Sequence, residues 1–125
     1  MADLKYTTEH EWLKVEGGDV AVIGITEYAQ DALGDLVYVE LPEIGKKVAK
    51  GEHFAVVESV KTAAEVYSPV AGEVVAVNDA LPSDPERIKK SVEDGWIAKI
   101  KMSDSSVLGG LMDKKGYDDY LKTKA

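Results

Sequence analysis

The chain contains no cysteine. Disulfides, thiolate nucleophiles, iron–sulfur ligation and cysteine-based zinc sites are thereby excluded, and any sulfur chemistry has to arrive on an attached group. Histidine is scarce too. His10 and His53 stand far apart, no HExxH pattern occurs, and no metal site is expected beyond loose carboxylate binding of Ca²⁺ or Mg²⁺. Positive charge is in deficit: 15 Lys and Arg face 23 Asp and Glu, leaving a formal net charge of −8. Such a surface repels phosphate backbones, so no nucleic-acid partner is expected. No apolar run approaches the roughly 18–20 residues that cross a bilayer. The start, MADLKYTTEHEW, lacks the basic and then apolar pattern of a signal peptide. The expectation is a cytoplasmic protein without a membrane partner. No nucleophile–base pair or metal set is apparent, so no catalytic residue is assigned and the chain is read as something other than an enzyme.

What is present fits one small domain spanning residues 1–125, with 45% hydrophobic residues to fill a core. Short β-rich runs alternate with turn residues. Gly17-Gly18-Asp19 precedes Val20–Ile23, and Asp35–Leu41 is stopped by Pro42, which cannot donate to a ladder. Phe54–Val57 follows Gly51, and Glu73–Val77 follows Gly72. Trp96, Ala98 and Ile100 alternate with Lys99 and Lys101, the period of a half-buried strand. Two helical stretches interrupt this pattern. Thr26–Leu33 has Thr26 as N-cap and Gly34 at C′. From about 105 to 122, Leu108, Leu111 and Met112, then Tyr117, Tyr120 and Leu121, repeat the i, i+3, i+4 spacing, with Gly116 as a break. The strand core is expected over about 6–102. Val37-Tyr38 before Pro42-Glu43-Ile44-Gly45 is echoed by Val66-Tyr67 before Pro69-Val70-Ala71-Gly72, either a chance match or two similar half-units.

The segment Val56–Pro69 is the most informative. Its β-rich arms, Phe54–Val57 and Ala64–Tyr67, flank Ser59-Val60-Lys61-Thr62, short enough for a tight hairpin tip. Lys61 would then project from the tip. Gly51 lies 10 positions before Lys61 and Gly72 lies 11 after it, a near-symmetric bracket that suits a turn at each far end of the arms. On spacing alone, one exposed lysine among 14 reads most simply as solvation.

The wider sequence reverses that reading, because it resembles the glycine cleavage system H protein family. VESVKTA (57–63) is similar to the lysine hairpin of lipoyl- and biotin-bearing carriers. Val60 and Thr62 stand where biotinyl carriers place methionines, so lipoyl is favoured. Tyr6–Trp12, Gly24–Gln30, Leu33–Asp35, Val39–Pro42, Tyr67–Val74, Val77-Asn78 and Gly95-Trp96 match the family in order, from about Tyr6 to Ile100.

The resemblance implies an all-β, barrel-sandwich hybrid fold with short helices, one of them C-terminal. It also implies a carrier with lipoic acid amide-linked to Lys61, bringing the sulfurs that the chain lacks. Its partners would be a PLP-dependent glycine decarboxylase, a tetrahydrofolate-dependent aminomethyltransferase and dihydrolipoyl dehydrogenase. A lipoate ligase or lipoyl/octanoyl transferase would install the group. Glu58, Ser59, Val60 and Thr62 would shape the hairpin. Glu11 and Glu65 fall where a cleft for the loaded amine would need acceptors, and read equally well as solvated carboxylates. His10 reads most simply as structural, and Trp12 and Trp96 as core anchors. Three departures stand out: Ala32 replaces a frequent histidine, Glu9 a small or basic residue, and Ile88–Ser91 an asparagine-containing stretch. They keep a runner-up alive, an H-like lipoate-binding protein of a sulfur-oxidation (heterodisulfide-reductase-like) pathway or a lipoyl-relay protein.

Overall fold

The computed structural model describes residues 4–8, 10–16, 19–89, 95–103 and 111–124. In chain order the elements are β1 (Lys5–Tyr6), β2 (Glu11–Glu16), β3 (Val20–Ile25), α1 (Glu27–Leu33), β4 (Leu36–Glu40) and β5 (Lys47–Val48). They continue with β6 (His53–Ser59), β7 (Ala63–Tyr67), β8 (Gly72–Val77), a 3₁₀ turn (Pro85–Lys89), β9 (Ala98–Met102) and α2 (Lys114–Lys124). Two antiparallel sheets face each other, one ordered β1-β2-β3-β9-β8-β5 and the other β4-β6-β7. They form the expected barrel-sandwich hybrid. The core between them holds Leu13, Ile23, Val39, Val57, Val70, Val74, Leu81, Ile97 and Ile100, all fully buried. Each such side chain contributes about 1.5–3 kcal/mol by leaving water.

β3, β4, β6, β7, β8 and β9 lie on the expected runs, while β1, β2 and β5 go beyond them. The alternation that marks a half-buried strand is absent from β2 because both its faces are covered. Leu13 enters the main core, and its neighbour Trp12 packs on the other side with Tyr6, Val22 and Tyr117. The two Pro-x-x-Gly segments lead into β5 and β8, which pair with one another through Lys47↔Glu73 and Val48↔Gly72. The glycines bracketing the hairpin differ, however. Gly51 occupies a left-handed turn at φ 86°, whereas Gly72 is already in β8, where a Cβ would meet the Lys101 carbonyl oxygen at 2.1 Å. One is a turn residue and the other permits close strand approach, so the bracket is not a matched pair of turns.

The C-terminal segment also departs from its expected helical reading. Residues 104–110, including Leu108, lie outside the described residues. Met112 is not helical: it exchanges backbone hydrogen bonds with Tyr6, at 2.7 Å and 2.9 Å, and so extends the sheet edge. α2 begins only at Lys114, and Gly116 sits inside its first turn, not at a break. The Gly116 N–H donates to Asp113 Oδ1 at 2.8 Å, so Asp113 caps an otherwise orphaned donor. α2 then lays Tyr117 against Tyr6, with ring centroids 4.8 Å apart. α1 follows its sequence signals. Thr26 Oγ1 accepts from Ala29 N at 3.4 Å, and Gly34 ends the helix at φ 78°.

Candidate functional site

Strands β6 and β7 form a hairpin with Glu58 opposite Ala63, Val57 opposite Ala64 and Val56 opposite Glu65. Its tip is held by one side chain. The Ser59 hydroxyl donates to the Thr62 carbonyl at 3.1 Å and accepts from the N–H groups of Lys61 and Thr62, each at 3.2 Å. The backbone closes the same turn, with Ser59 N–H donating to Thr62 O at 2.7 Å. A second tie comes from outside: Val60 N–H donates to Asp35 O at 3.0 Å, fastening the tip to the segment that joins α1 to β4. The turn is therefore rigid, while Val60, Lys61 and Thr62 remain exposed.

Lys61 does not stand away from the protein on every side. Its stem crosses Gly34, where an added Cβ would meet Lys61 Cε at 3.3 Å. Its ammonium lies 3.5 Å from the Ala32 carbonyl, at the open end of α1. Gly34 thus serves twice, as a left-handed helix terminator and as the clear space beneath the lysine stem. The helix-stop signal was visible in the sequence, but the approach of Lys61 was not.

Beside this stem, between α1 and the outer edge of β7, opens a cleft of about 190 Å³. Ala29, Leu33, Val57, Ala64 and Val66 make its walls apolar, and His10, Tyr28, Glu11 and Glu65 supply its polar groups. Ala32, which bonds the Lys61 ammonium, is itself part of the lining. The two carboxylates differ sharply. Glu11 is buried: Oε1 accepts from the Thr7 hydroxyl at 2.8 Å and Oε2 from the Tyr67 N–H at 3.0 Å. It thus ties the edge of β7 to the start of β2. Glu65 is half exposed, accepts from the Tyr67 hydroxyl at 3.1 Å and lies 3.7 Å from His53 Nδ1. Glu58 sits on β6 between Tyr38 and Ala63, partly exposed beside the tip.

Sequence reasoning set His10 aside as structural, and the fold gives it a place in the cleft wall as well. Its backbone is left-handed at φ 68°, unusual outside glycine. Its ring is packed 4.4 Å from the Tyr28 ring, and its Nδ1 lies 2.7 Å from the Tyr117 hydroxyl. That hydroxyl also bonds Thr26 Oγ1 at 2.8 Å, joining α2, the N-terminus of α1 and the cleft wall. Burial pushes the Tyr117 phenol up from its ordinary value, outweighing the opposing bond from Thr26. A positive-φ histidine leaves no mark in sequence, so nothing there pointed to this role. Trp12 is buried with Tyr6, Val22 and Tyr117; Trp96 is half-buried at the margin of that group, with the Lys99 ammonium 5.1 Å from its ring. Glu9 lies outside the described residues.

A rigid hairpin that presents one lysine beside a small, mostly apolar cleft is a geometry for displaying and sheltering a flexible attachment. Comparison with known proteins extends over nearly the whole chain. The family model for the glycine cleavage H-protein matches residues 4–124. The glycine cleavage system H protein of Thermus thermophilus is 53% identical over 124 residues, covering 98% of this chain and 96% of that one. Its counterpart from Beijerinckia indica is 52% identical over 124 residues, covering 98% and 99%. The crystal structure of a glycine cleavage system H protein from Mycobacterium marinum superposes with a TM-score of 0.86 at 34% identity, covering 98% of each chain. By full-length sequence similarity and by fold, the chain belongs to the glycine cleavage H-protein family.

Proposed function

We propose that this chain is the cytoplasmic, non-catalytic lipoyl carrier of a glycine cleavage system, with lipoic acid held as an amide on Lys61. It would move between a PLP-dependent glycine decarboxylase, a tetrahydrofolate-dependent aminomethyltransferase and dihydrolipoyl dehydrogenase, after modification by a lipoate ligase or lipoyl/octanoyl transferase. The observation that carries this reading is the position of Lys61, exposed on a fastened tip with its stem at the mouth of the cleft.

The residues present fit such a group. Acylation removes the lysine's charge and frees its contact with the Ala32 carbonyl. The apolar walls suit an aliphatic chain, and Glu65 at the margin suits a cationic amine. When bound, the group supplies two sulfurs for group carriage and thiol–disulfide exchange. The chain's own residues do the positioning. Ser59 and Asp35 fix the tip, Gly34 gives the stem its path, Glu11 holds the β7 edge, and Ala29, Leu33 and Val66 exclude water.

Peptide mass spectrometry of the protein from its lipoate-competent host tests the attachment, with Lys61 expected to carry the lipoyl mass. Reconstitution with the three enzymes is then expected to give glycine-dependent reduction of NAD. An unmodified Lys61 would refute the carrier assignment. A modified protein that fails to support the reaction with competent enzymes would refute the pathway and point to a relay role.

A further inference from the structure

The strand ladder beside the Lys61 tip is interrupted. β4 and β6 slip in register between Leu36 and Tyr38, a β-bulge that turns both Val37 and Tyr38 outward, 53% and 44% exposed. Past Ser59, the backbone tie between tip and body is the Val60 N–H bond to the Asp35 carbonyl, at 3.0 Å. That carbonyl shares one planar peptide group with the Leu36 N–H. The Leu36 N–H is gripped in turn, donating to Glu86 Oε2 at 2.7 Å. One residue back, the Gly34 carbonyl accepts from the Lys89 ammonium at 2.7 Å. Glu86 and Lys89 come from the same short turn, Pro85–Lys89. Residues three apart in a 3₁₀ turn lie one above the other, so both side chains reach the same segment and pair at 3.3 Å. The turn has a firm seat. Ile88 is buried in the core, and its carbonyl accepts from Gln30 Nε2 of α1 at 3.3 Å.

We propose that Glu86, assisted by Lys89, is a positioning residue for Lys61, an inference that rests on the carrier reading above. A carboxylate on the N–H of the 35–36 peptide fixes the plane of that peptide and polarises its carbonyl. The bond from that carbonyl to the Val60 N–H is strengthened by the same polarisation. Lys89 holds the preceding peptide by its carbonyl, and so keeps Gly34 in place beneath the lysine stem. Acylation removes the charge of Lys61 but touches neither grip, so the tip stays in position through modification. Lys89 falls in the Ile88–Ser91 stretch where the sequence departs from the family, so the resemblance gave no notice of it. A carrier whose tip wanders presents Lys61 in its productive place only part of the time. Its apparent affinity for each enzyme then falls by that fraction, while the chemistry is untouched.

The test begins on the unmodified protein, by amide exchange and NMR. In Glu86→Ala the Val60 N–H should exchange about tenfold faster or more, relative to the amides of β3 and β9. The contact between the Lys61 ε-methylene and the Gly34 α-protons should be lost with it. Glu86→Gln keeps an acceptor oxygen without the charge and should fall between parent and alanine. Lys89→Met should speed Val60 exchange in the same direction, and serves if Glu86→Ala folds poorly. Glu16→Ala removes an exposed carboxylate paired with Lys99 at 2.9 Å on the other sheet, and should match the parent throughout. With lipoylated protein as the varied substrate in glycine-dependent NAD reduction, Glu86→Ala should raise the carrier's KM about threefold or more and leave kcat near the parent. Parent-like Val60 exchange in both Glu86→Ala and Lys89→Met overturns the proposal. So does faster exchange with an unchanged KM, which would leave Glu86 a stabiliser of the fold alone. A parent that carries no lipoyl on Lys61 removes the carrier reading, and the role of the grip with it, whatever the exchange rates show.

Discussion

Removing the Glu11 carboxylate should cost far more than its place in the cleft wall suggests. Both oxygens are occupied, by the Thr7 hydroxyl at 2.8 Å and by the Tyr67 N–H at 3.0 Å, and the residue is 3% exposed. Hydrogen bonds to a charged group contribute about 1.5–3 kcal/mol each. Taking a carboxylate out of a buried site recovers part of its desolvation cost. Glu11→Ala should therefore destabilise the unmodified protein by about 3 kcal/mol, and lower the unfolding temperature by roughly 10 °C for a chain of this size. It also removes the acceptor that the Tyr67 N–H finds at the outer edge of β7. Glu11→Gln should cost only about 1 kcal/mol, because the amide oxygen can serve Tyr67 while its NH₂ donates to Thr7 Oγ1. Denaturant unfolding followed by the fluorescence of Trp12 and Trp96 reads both values, and a cycle with Thr7→Val isolates the shared bond. The reasoning is wrong if Glu11→Ala stays within about 0.5 kcal/mol of the parent, or if alanine and glutamine cost the same.

Lys61→Arg should abolish acylation, as read by intact mass, and change the unfolding free energy by no more than about 0.5 kcal/mol; a larger loss would make Lys61 structural. Gly34→Ala forces a Cβ onto a left-handed backbone at φ 78° and against the Lys61 stem, so it should cost about 1–3 kcal/mol in unfolding and slow acylation together. Glu86 Oε2 accepts from the Leu36 N–H at 2.7 Å, and this bond, aided by Lys89, holds its carboxyl below the ordinary 4.5. A lowered folded value gives stability that is complete above about 4.5 and is lost as pH falls through that lowered value. The stability gap between the parent and Glu86→Gln should therefore close on acidification, and a gap independent of pH would show that the carboxylate is not the source.

Most of the strand order's raw material was legible in the sequence. β3, β4, β6, β8 and β9 announced themselves through β-branched runs and turn residues, and Thr26 and Gly34 marked both ends of α1. The hairpin tip was legible for the same reason, since four residues between two apolar arms leave few alternatives. β2 was not, because burial on both faces erases alternation. Helical spacing at Leu111 and Met112 misled because Met112 finds its hydrogen-bond partners on Tyr6, far away in sequence. Of the site, Lys61 and its neighbours were visible as a motif. His10 and Tyr28 were invisible as cleft walls, since their roles depend on Tyr117 and α1 being brought to them.

By itself, then, the sequence determined the chemistry available: no thiol, one lysine at the end of a two-stranded arm, and an acidic surface. These follow from composition and local spacing, which need no third dimension. Only the tertiary structure decided what surrounds that lysine. It laid the stem over Gly34, opened the cleft between α1 and β7, turned Glu11 from a solvated carboxylate into a buried tether, and bulged β4 so that two consecutive side chains face out beside the tip. Each of these depends on residues distant in the chain meeting across strands and helices, and contact across such distances carries no local signature.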